Sequence, residues 1–160
     1  MATYDRTGKG GTTGHPANGR TPYLVENTID ISAINGDSGA AQNDVLRALD
    51  IPAETLIMEA GIEVITALSS SVTLDLGITG GDVDAFVDGF AFDSASAGDY
   101  ATLANTACPI LVTTSDTIDV LIQAATTVST AGKVRVYAVL MDVDGLGEMS
   151  ADEVARDALA

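Results

Sequence analysis

Hydrophobic and polar side chains alternate with a period of two along most of the chain from Tyr23 onward. In residues 71–78, for example, every second residue is aliphatic and those between are Thr, Asp or Gly. Successive side chains of a β-strand point to opposite faces of its sheet, so the pattern predicts strands with one buried face each. We predict seven or eight strands, including residues 27–33, 43–51, 55–64, 71–78, 116–124 and 132–143, with a less regular run near 86–92.

Turn-forming residues separate these runs, and no helical pattern lies between them. The segment 43–51 has an ambiguous pattern, and we interpret it as a strand because Pro52 follows at once. Many short strands without intervening helices favour an all-β fold, an antiparallel β-sandwich of jelly-roll type. In strand 55–64, one face is predicted to carry Leu56, Met58, Ala60, Ile62 and Val64, with Ile57 on the other.

The two ends of the chain depart from this pattern. Residues 1–22 are rich in Gly and contain two Pro, so we expect an arm that is disordered alone or extended against a partner. At the other end, Ser150 and Glu153 have the spacing of a helix capping box. The predicted organisation is an arm at 1–22, a β-sandwich domain at 23–145, and a turn with a short helix at 146–160.

Charge is distributed unevenly. The net charge is −16, and residues 1–20 contribute +2 through Arg6, Lys9 and Arg20 against Asp5, which leaves −18 for the rest. So acidic a chain is repelled by nucleic acids and anionic membranes, and no apolar run approaches the ~20 residues of a membrane helix. We therefore expect neither nucleic acid nor membrane as a partner.

Few residues suited to catalysis or metal binding are present. The chain has one cysteine, Cys108, and one histidine, His15, which excludes an internal disulfide and paired-histidine metal sites. Cys108 has no cation beside it in the sequence, so we interpret it as a small buried hydrophobe. No nucleophile with an accompanying base is found. We expect no enzymatic activity and no cofactor.

Two acidic stretches leave Ca²⁺ binding open. Asp142, Asp144 and Glu153 have the spacing of EF-hand ligands, although Leu146 lacks a side-chain oxygen and a strand precedes the loop. The second stretch surrounds a Gly-rich loop, and it consists of Asp75, Asp82, Asp84, Asp88, Asp93 and Asp99. For the first stretch the favoured interpretation is an acidic turn that ends the last strand, with Glu153 in the capping box. For the second stretch it is a solvated acidic face.

Several segments resemble a known family. They read IPAETLIMEAGIEV at 51–64, SVTLDLGITGGDVDAFVDG at 71–89, TSDTIDV at 114–120 and TAGKVRVYAV at 130–139. Over residues 43–143 the chain is similar to small virion proteins of tailed bacteriophages, many of them marine. The resemblance implies a head decoration (cement) protein, a β-sandwich that is typically trimeric and sits on the outside of the major capsid shell.

The leading hypothesis is therefore a virion protein that binds the major capsid protein as a symmetric oligomer, a trimer, on the outer capsid surface. We expect that oligomer to bury aliphatic surface near Ile57 or Val139, and Arg6, Lys9 and Arg20 to pair with acidic capsid residues. One alternative is a phage tail, spike or neck domain that binds glycan or Ca²⁺. Another is a hydrolase that uses two carboxylates.

Overall fold

The computed structural model describes residues 21–34, 40–67, 71–79, 81–92, 95–102, 108–125 and 131–143. Within these ranges the chain forms nine strands, all paired antiparallel in two sheets. The strands are β1 (Tyr23–Asp30), β2 (Val45–Ile51), β3 (Thr55–Thr66), β4 (Val72–Ile78), β5 (Val87–Ala91), β6 (Tyr100–Thr102), β7 (Ile110–Val112), β8 (Asp116–Ala125) and β9 (Lys133–Asp142). The prediction of an all-β antiparallel sandwich is confirmed.

The strand order is that of a jelly roll. Sheet A has the order β1-β9-β3-β6, with β7 also paired to β3, and sheet B has the order β2-β8-β4-β5. Strands β1, β2, β3 and β4 thus pair in turn with β9, β8, β6 and β5. This is the pattern of one long hairpin rolled up so that its strands alternate between two sheets. Strand β7 is a short addition at the edge of sheet A.

The core lies between the two sheets and is mainly aliphatic. The alternating positions that the sequence marks as buried on β4 and β9, such as Leu74, Leu76, Val134 and Val136, are 0% exposed. Phe86 and Phe92, on either side of β5, are also fully buried. Because the inner faces are filled in this way, a binding surface has to lie on an outer face or a sheet edge.

Some element boundaries differ from the prediction. Strand β1 begins at Tyr23, four residues earlier than expected, and ends at Asp30. Ile31–Ala33 is a 3₁₀ turn rather than strand, because the Asp30 side chain accepts a hydrogen bond from the Ser32 N–H at 3.1 Å and caps the turn. The short strand β6 was not predicted.

Both predicted terminal elements lie almost entirely outside the described residues. Of the arm, only Thr21 and Pro22 are described, and none of residues 146–160 is. The division into arm, sandwich domain and terminal helix therefore stays a prediction. In the part of the chain that the structure describes, no helix is long and apolar enough to cross a membrane.

Candidate interaction surfaces

The outer face of sheet A carries an apolar patch, formed by Leu24, Leu56, Leu111, Val139 and Met141. In register, Leu24 lies opposite Val139, and Leu56 lies between Met141 and Leu111. Side chains directly opposite each other on antiparallel strands point to the same face and contact each other. Leu24 is 61% exposed and Leu111 is 50% exposed. The five side chains thus form a continuous apolar surface across four strands, as interaction sites of soluble proteins often do.

A β-bulge in β3 creates part of this patch. The register shifts between Ile57 and Glu59, and both Met58 and Glu59 in the bulge are exposed. Before the bulge Ile57 points into the core at 0% exposure, and after it the inward series resumes at Ala60. The prediction that Leu56 and Met58 share the face of Ala60 is therefore wrong, because the extra residue shifts the alternation.

The observed orientation of Ile57 changes the predicted contact between copies near Ile57 or Val139. Ile57 is fully buried and cannot form a contact with another chain. Its neighbours Leu56 and Met58 are the accessible ones, together with the half-buried Val139.

The opposite end of the same face is polar. The Arg135 Nη1 lies 3.3 Å from a Glu63 carboxylate oxygen and 4.0 Å from one of Glu26, and the Lys133 Nζ lies 2.9 Å from Asp30. These pairs are partly exposed, so each contributes less than about 1 kcal/mol to stability. Both cations of β9 are nevertheless engaged by acids of their own sheet.

Two tyrosines cover a glycine beside these pairs. A Cβ at Gly61 would lie 2.5 Å from the Tyr137 Oη and 2.9 Å from the Ala101 carbonyl oxygen, so the Tyr137 ring occupies the space a side chain would fill. Tyr100 meets Tyr137 edge to face, with ring centroids 6.3 Å apart. A hydrogen bond with Glu63 raises the pKa of Tyr100.

On sheet B, a loop at residues 81–86 covers part of the outer face. A Cβ at Gly77 would lie 2.2 Å from the Asp82 carbonyl oxygen and 2.4 Å from that of Val83. The Ile78 N–H donates to the same Asp82 oxygen at 2.9 Å. Glycine is therefore required at position 77 because the loop backbone lies directly on the strand.

Asp119 lies beside this covered position and is the most unusual side chain of the described structure. In register it lies between Arg47 of β2 and Gly77 of β4. It is 5% exposed, and within the described residues neither carboxylate oxygen has a hydrogen-bond partner. Burial raises the pKa of Asp119, against the lowering influence of the Thr117 side chain and of Arg47. An unpaired buried carboxylate is costly and rare in native proteins.

Two adjoining cavities form what we term the sheet-B cleft. The smaller, of about 80 Å³, has Asp119 in its wall together with the apolar side chains of Val45, Val83 and Leu121. The larger and more open one, of about 440 Å³, is lined by residues that include Arg47, Asp50, Ser115 and Asp116. Thr79 lines both cavities. The cleft therefore combines carboxylates with apolar walls.

The aspartates of the second candidate Ca²⁺ stretch, which surrounds the Gly-rich loop, have different partners. Asp75 is buried and accepts a hydrogen bond from the Gly89 N–H at 2.7 Å, and burial raises its pKa. Asp99 accepts from the Ser96 N–H at 2.7 Å. Asp82 raises the pKa of the neighbouring Asp84 carboxyl. No group of three His, Cys, Asp or Glu converges on a metal position in the described ranges, and Asp93 lies outside them.

The other predicted residues are only partly described. Of the first Ca²⁺ candidate, with the EF-hand spacing, Asp142 is described, while Asp144 and Glu153 are not. Arg6, Lys9 and Arg20 also lie outside the described residues. Cys108 is half-buried against the core, and burial raises the pKa of its thiol, as expected for a small hydrophobe.

Comparison with known proteins shows the fold but no sequence family. No protein-family model and no curated protein matches the chain. A chain of the cyanophage Pam1 capsid asymmetric unit matches with a TM-score of 0.62 and 17% identity, covering 88% of this chain and 98% of that one. A chain from the capsid of Ralstonia phage GP4 matches with 0.57 and 16%, covering 76% and 84%.

A chain from the acidic stable capsid structure of Helicobacter pylori bacteriophage KHP30 matches with a TM-score of 0.54 and 16% identity, covering 75% of this chain and 86% of that one. All three neighbours come from phage capsid structures, in agreement with the virion-protein resemblance of the sequence. At these identities the likeness establishes a shared fold.

The sequence analysis did not identify Asp119, and of the apolar patch it identified only Val139. Alternation placed Asp119 on a solvated face with Thr117 and Gln123. Gly77 could have indicated that Asp119 is buried, since a glycine inside a strand often marks the close approach of another segment. The residues around Leu56 do not indicate that its side chain faces outward, because the bulge depends on the pairing of β3 with β9.

Proposed function

We propose that this chain is a capsid decoration (cement) protein, which binds the outside of a phage head and stabilises contacts between major capsid subunits. The observation that carries the proposal is the apolar patch on the outer face of sheet A, on a jelly roll shared with chains of three phage capsids. Contiguous exposed apolar side chains often mark an interaction site, so this patch favours a contact with another protein.

In this proposal the patch contacts the major capsid protein. Val139, which the sequence analysis placed in a contact between copies, then belongs to the capsid contact instead. Burying apolar side chains such as Leu24 and Leu111 stabilises the contact by roughly 25 cal/mol per Å² removed from water. A protein that binds only the assembled shell stabilises the shell by about 4 kcal/mol when its free concentration is 1,000 times Kd.

The proposal also includes a homotrimer and a contact of the N-terminal arm. Most soluble oligomers have closed rotational symmetry, and a trimer would present three patches at once, which raises the overall affinity without any new kind of contact. Arg6, Lys9 and Arg20 supply the positive charge that acidic capsid residues would attract. The mass of the purified protein in solution tests the trimer directly, and a strict monomer would contradict it.

The patch is tested by co-sedimentation with phage capsids assembled without this protein. Leu24→Glu and Leu111→Glu each place a charge in the patch, and Thr28→Glu adds the same charge to an exposed position at the polar end of β1. We expect the leucine variants to bind at least about tenfold more weakly and Thr28→Glu to bind like the wild type. Circular dichroism confirms that each variant is folded. Equal binding by all variants, or no binding by the wild type, would refute the proposal.

The number of copies in each particle distinguishes the head from the tail. Hundreds of copies are expected for a protein that covers the head, and a dozen or fewer would favour the alternative tail, spike or neck domain. Quantitative mass spectrometry of purified particles provides this number.

A further inference from the structure

The sheet-B cleft contains a buried negative charge that the described residues leave without a partner. The Asp119 oxygens are inaccessible to solvent and accept no hydrogen bond there. Around them the smaller cavity is walled by Val45, Val83 and Leu121. A buried carboxylate is best compensated by a cation that donates hydrogen bonds, and apolar walls suit the aliphatic stem of such a side chain. Lysine and arginine have both features.

The cations within the described ranges do not fill this position. Lys133 and Arg135 are paired with acids on sheet A. Arg47 lies opposite Asp119 in register, yet its exposed side chain donates no hydrogen bond to the Asp119 oxygens. Of the four remaining cations, Arg6, Lys9 and Arg20 belong to residues 1–20, which carry a net charge of +2. The fourth, Arg156, belongs to an acidic segment.

We propose that residues 1–20 dock in the sheet-B cleft of their own chain, with the side chain of Arg6 or Lys9 in the cavity beside Asp119. Lys9 lies twelve positions before Thr21, and an extended chain of twelve residues spans up to ~40 Å at ~3.3 Å per residue. That reach suffices for a domain of this size, whose radius of gyration is about 15 Å. Asp50 and Asp116, in the larger cavity, supply further negative charge along the path.

Charge complementarity favours this segment over an uncharged one. Residues 1–20 carry +2, and the cleft that would receive them is lined by three aspartates, Asp50, Asp116 and Asp119, against one cation, Arg47. The inference concerns the free chain and does not rest on the proposed function. In an assembled particle, acidic capsid residues would compete with the cleft for the same cations.

Limited digestion of the full-length protein with trypsin tests the docking. Trypsin cleaves after Arg6, Lys9 and Arg20, and a docked segment is cleaved slowly. We expect Asp119→Asn to raise the cleavage rate after Arg6 and Lys9 about tenfold. Asp88→Asn, which removes the same charge from an exposed position of β5 outside the cleft, should leave the rate unchanged. Equal rates in the wild type and both variants would refute the proposal.

A thermodynamic cycle on the full-length chain gives a second, independent measurement. Asp119→Asn is combined with the triple variant Arg6→Gln, Lys9→Gln and Arg20→Gln, and unfolding by urea is measured for all four combinations. We expect a coupling of about tenfold in the folding equilibrium constant, and strictly additive effects would refute the proposal. Cleavage rates that rise on dilution would show docking between copies and overturn the assignment to the same chain.

Discussion

Replacing Gly77 with alanine is a sharp test of the packing on sheet B. The added Cβ would lie 2.2 Å from the Asp82 carbonyl oxygen and 2.4 Å from that of Val83, whereas ordinary contacts are 3.4–4 Å. Both atoms belong to the backbone, so a rotamer change cannot relieve the collision. The loop at 81–86 has to move away from the sheet.

The loss of stability in Gly77→Ala has two sources, overpacking and a weakened hydrogen bond. Overpacking of this kind costs about 1–3 kcal/mol. Movement of the loop also weakens the 2.9 Å hydrogen bond from the Ile78 N–H to Asp82, which contributes about 1 kcal/mol. Replacing a strand glycine with alanine by itself raises the free energy of unfolding by about 0.5–1 kcal/mol. The net destabilisation is therefore about 1–3.5 kcal/mol, or a Tm lower by roughly 2–14 °C.

Urea denaturation followed by circular dichroism measures this change, with Gly81→Ala as the matched control. A Cβ at Gly81 would meet nothing closer than the Ile78 Cβ at 3.9 Å, so this variant should equal the wild type or exceed it by up to about 1 kcal/mol. If Gly77→Ala unfolds within about 0.5 kcal/mol of the wild type, the loop does not lie on the sheet as described.

Three further changes test other parts of the structure. Leu74→Ala removes a fully buried side chain and should lower the free energy of unfolding by about 3–5 kcal/mol in urea titrations. Gly61→Ala should cost about 1–3 kcal/mol in the same assay, because Tyr137 and the Ala101 carbonyl have to move apart. Asp75→Asn should be more stable than the wild type at pH 7, since burial raises the pKa of Asp75 in the folded state and the buried carboxylate opposes folding. That difference should close as the pH falls through the folded pKa towards 3.8, and a difference independent of pH would contradict the assignment.

The sandwich could be predicted because its cause is local. In β4 every aliphatic residue of the alternating series is buried, and in β9 the series Val134, Val136, Ala138 and Leu140 is buried as predicted. Such a pattern is readable from neighbouring residues alone, since it reflects a single face packed on a core. The virion-protein resemblance rests on the same local strand patterns, and it agrees with the structural neighbours.

The surfaces could not be predicted because their causes are distant in sequence. Leu56 faces outward because β3 pairs with β9 through a bulge, and residues 57 and 140 are far apart along the chain. Asp119 is buried because a loop about 35 residues earlier in the chain covers its face, while its own neighbours alternate like those of any half-exposed strand. The short strand β6 exists only as a pairing partner for β3.

The two outer faces suit different kinds of contact. The patch on sheet A is aliphatic, so water release drives its contacts, and these depend little on ionic strength. The cleft on sheet B holds a carboxylate away from solvent, where a paired cation is screened far less than on the open surface. Because the interior of the described sandwich is filled, a contact has to use an outer face or a sheet edge. Since the chemistries of the two faces differ, an apolar contact on sheet A does not itself displace a basic segment from sheet B. Displacement would come from acidic capsid residues that compete for the cations of that segment.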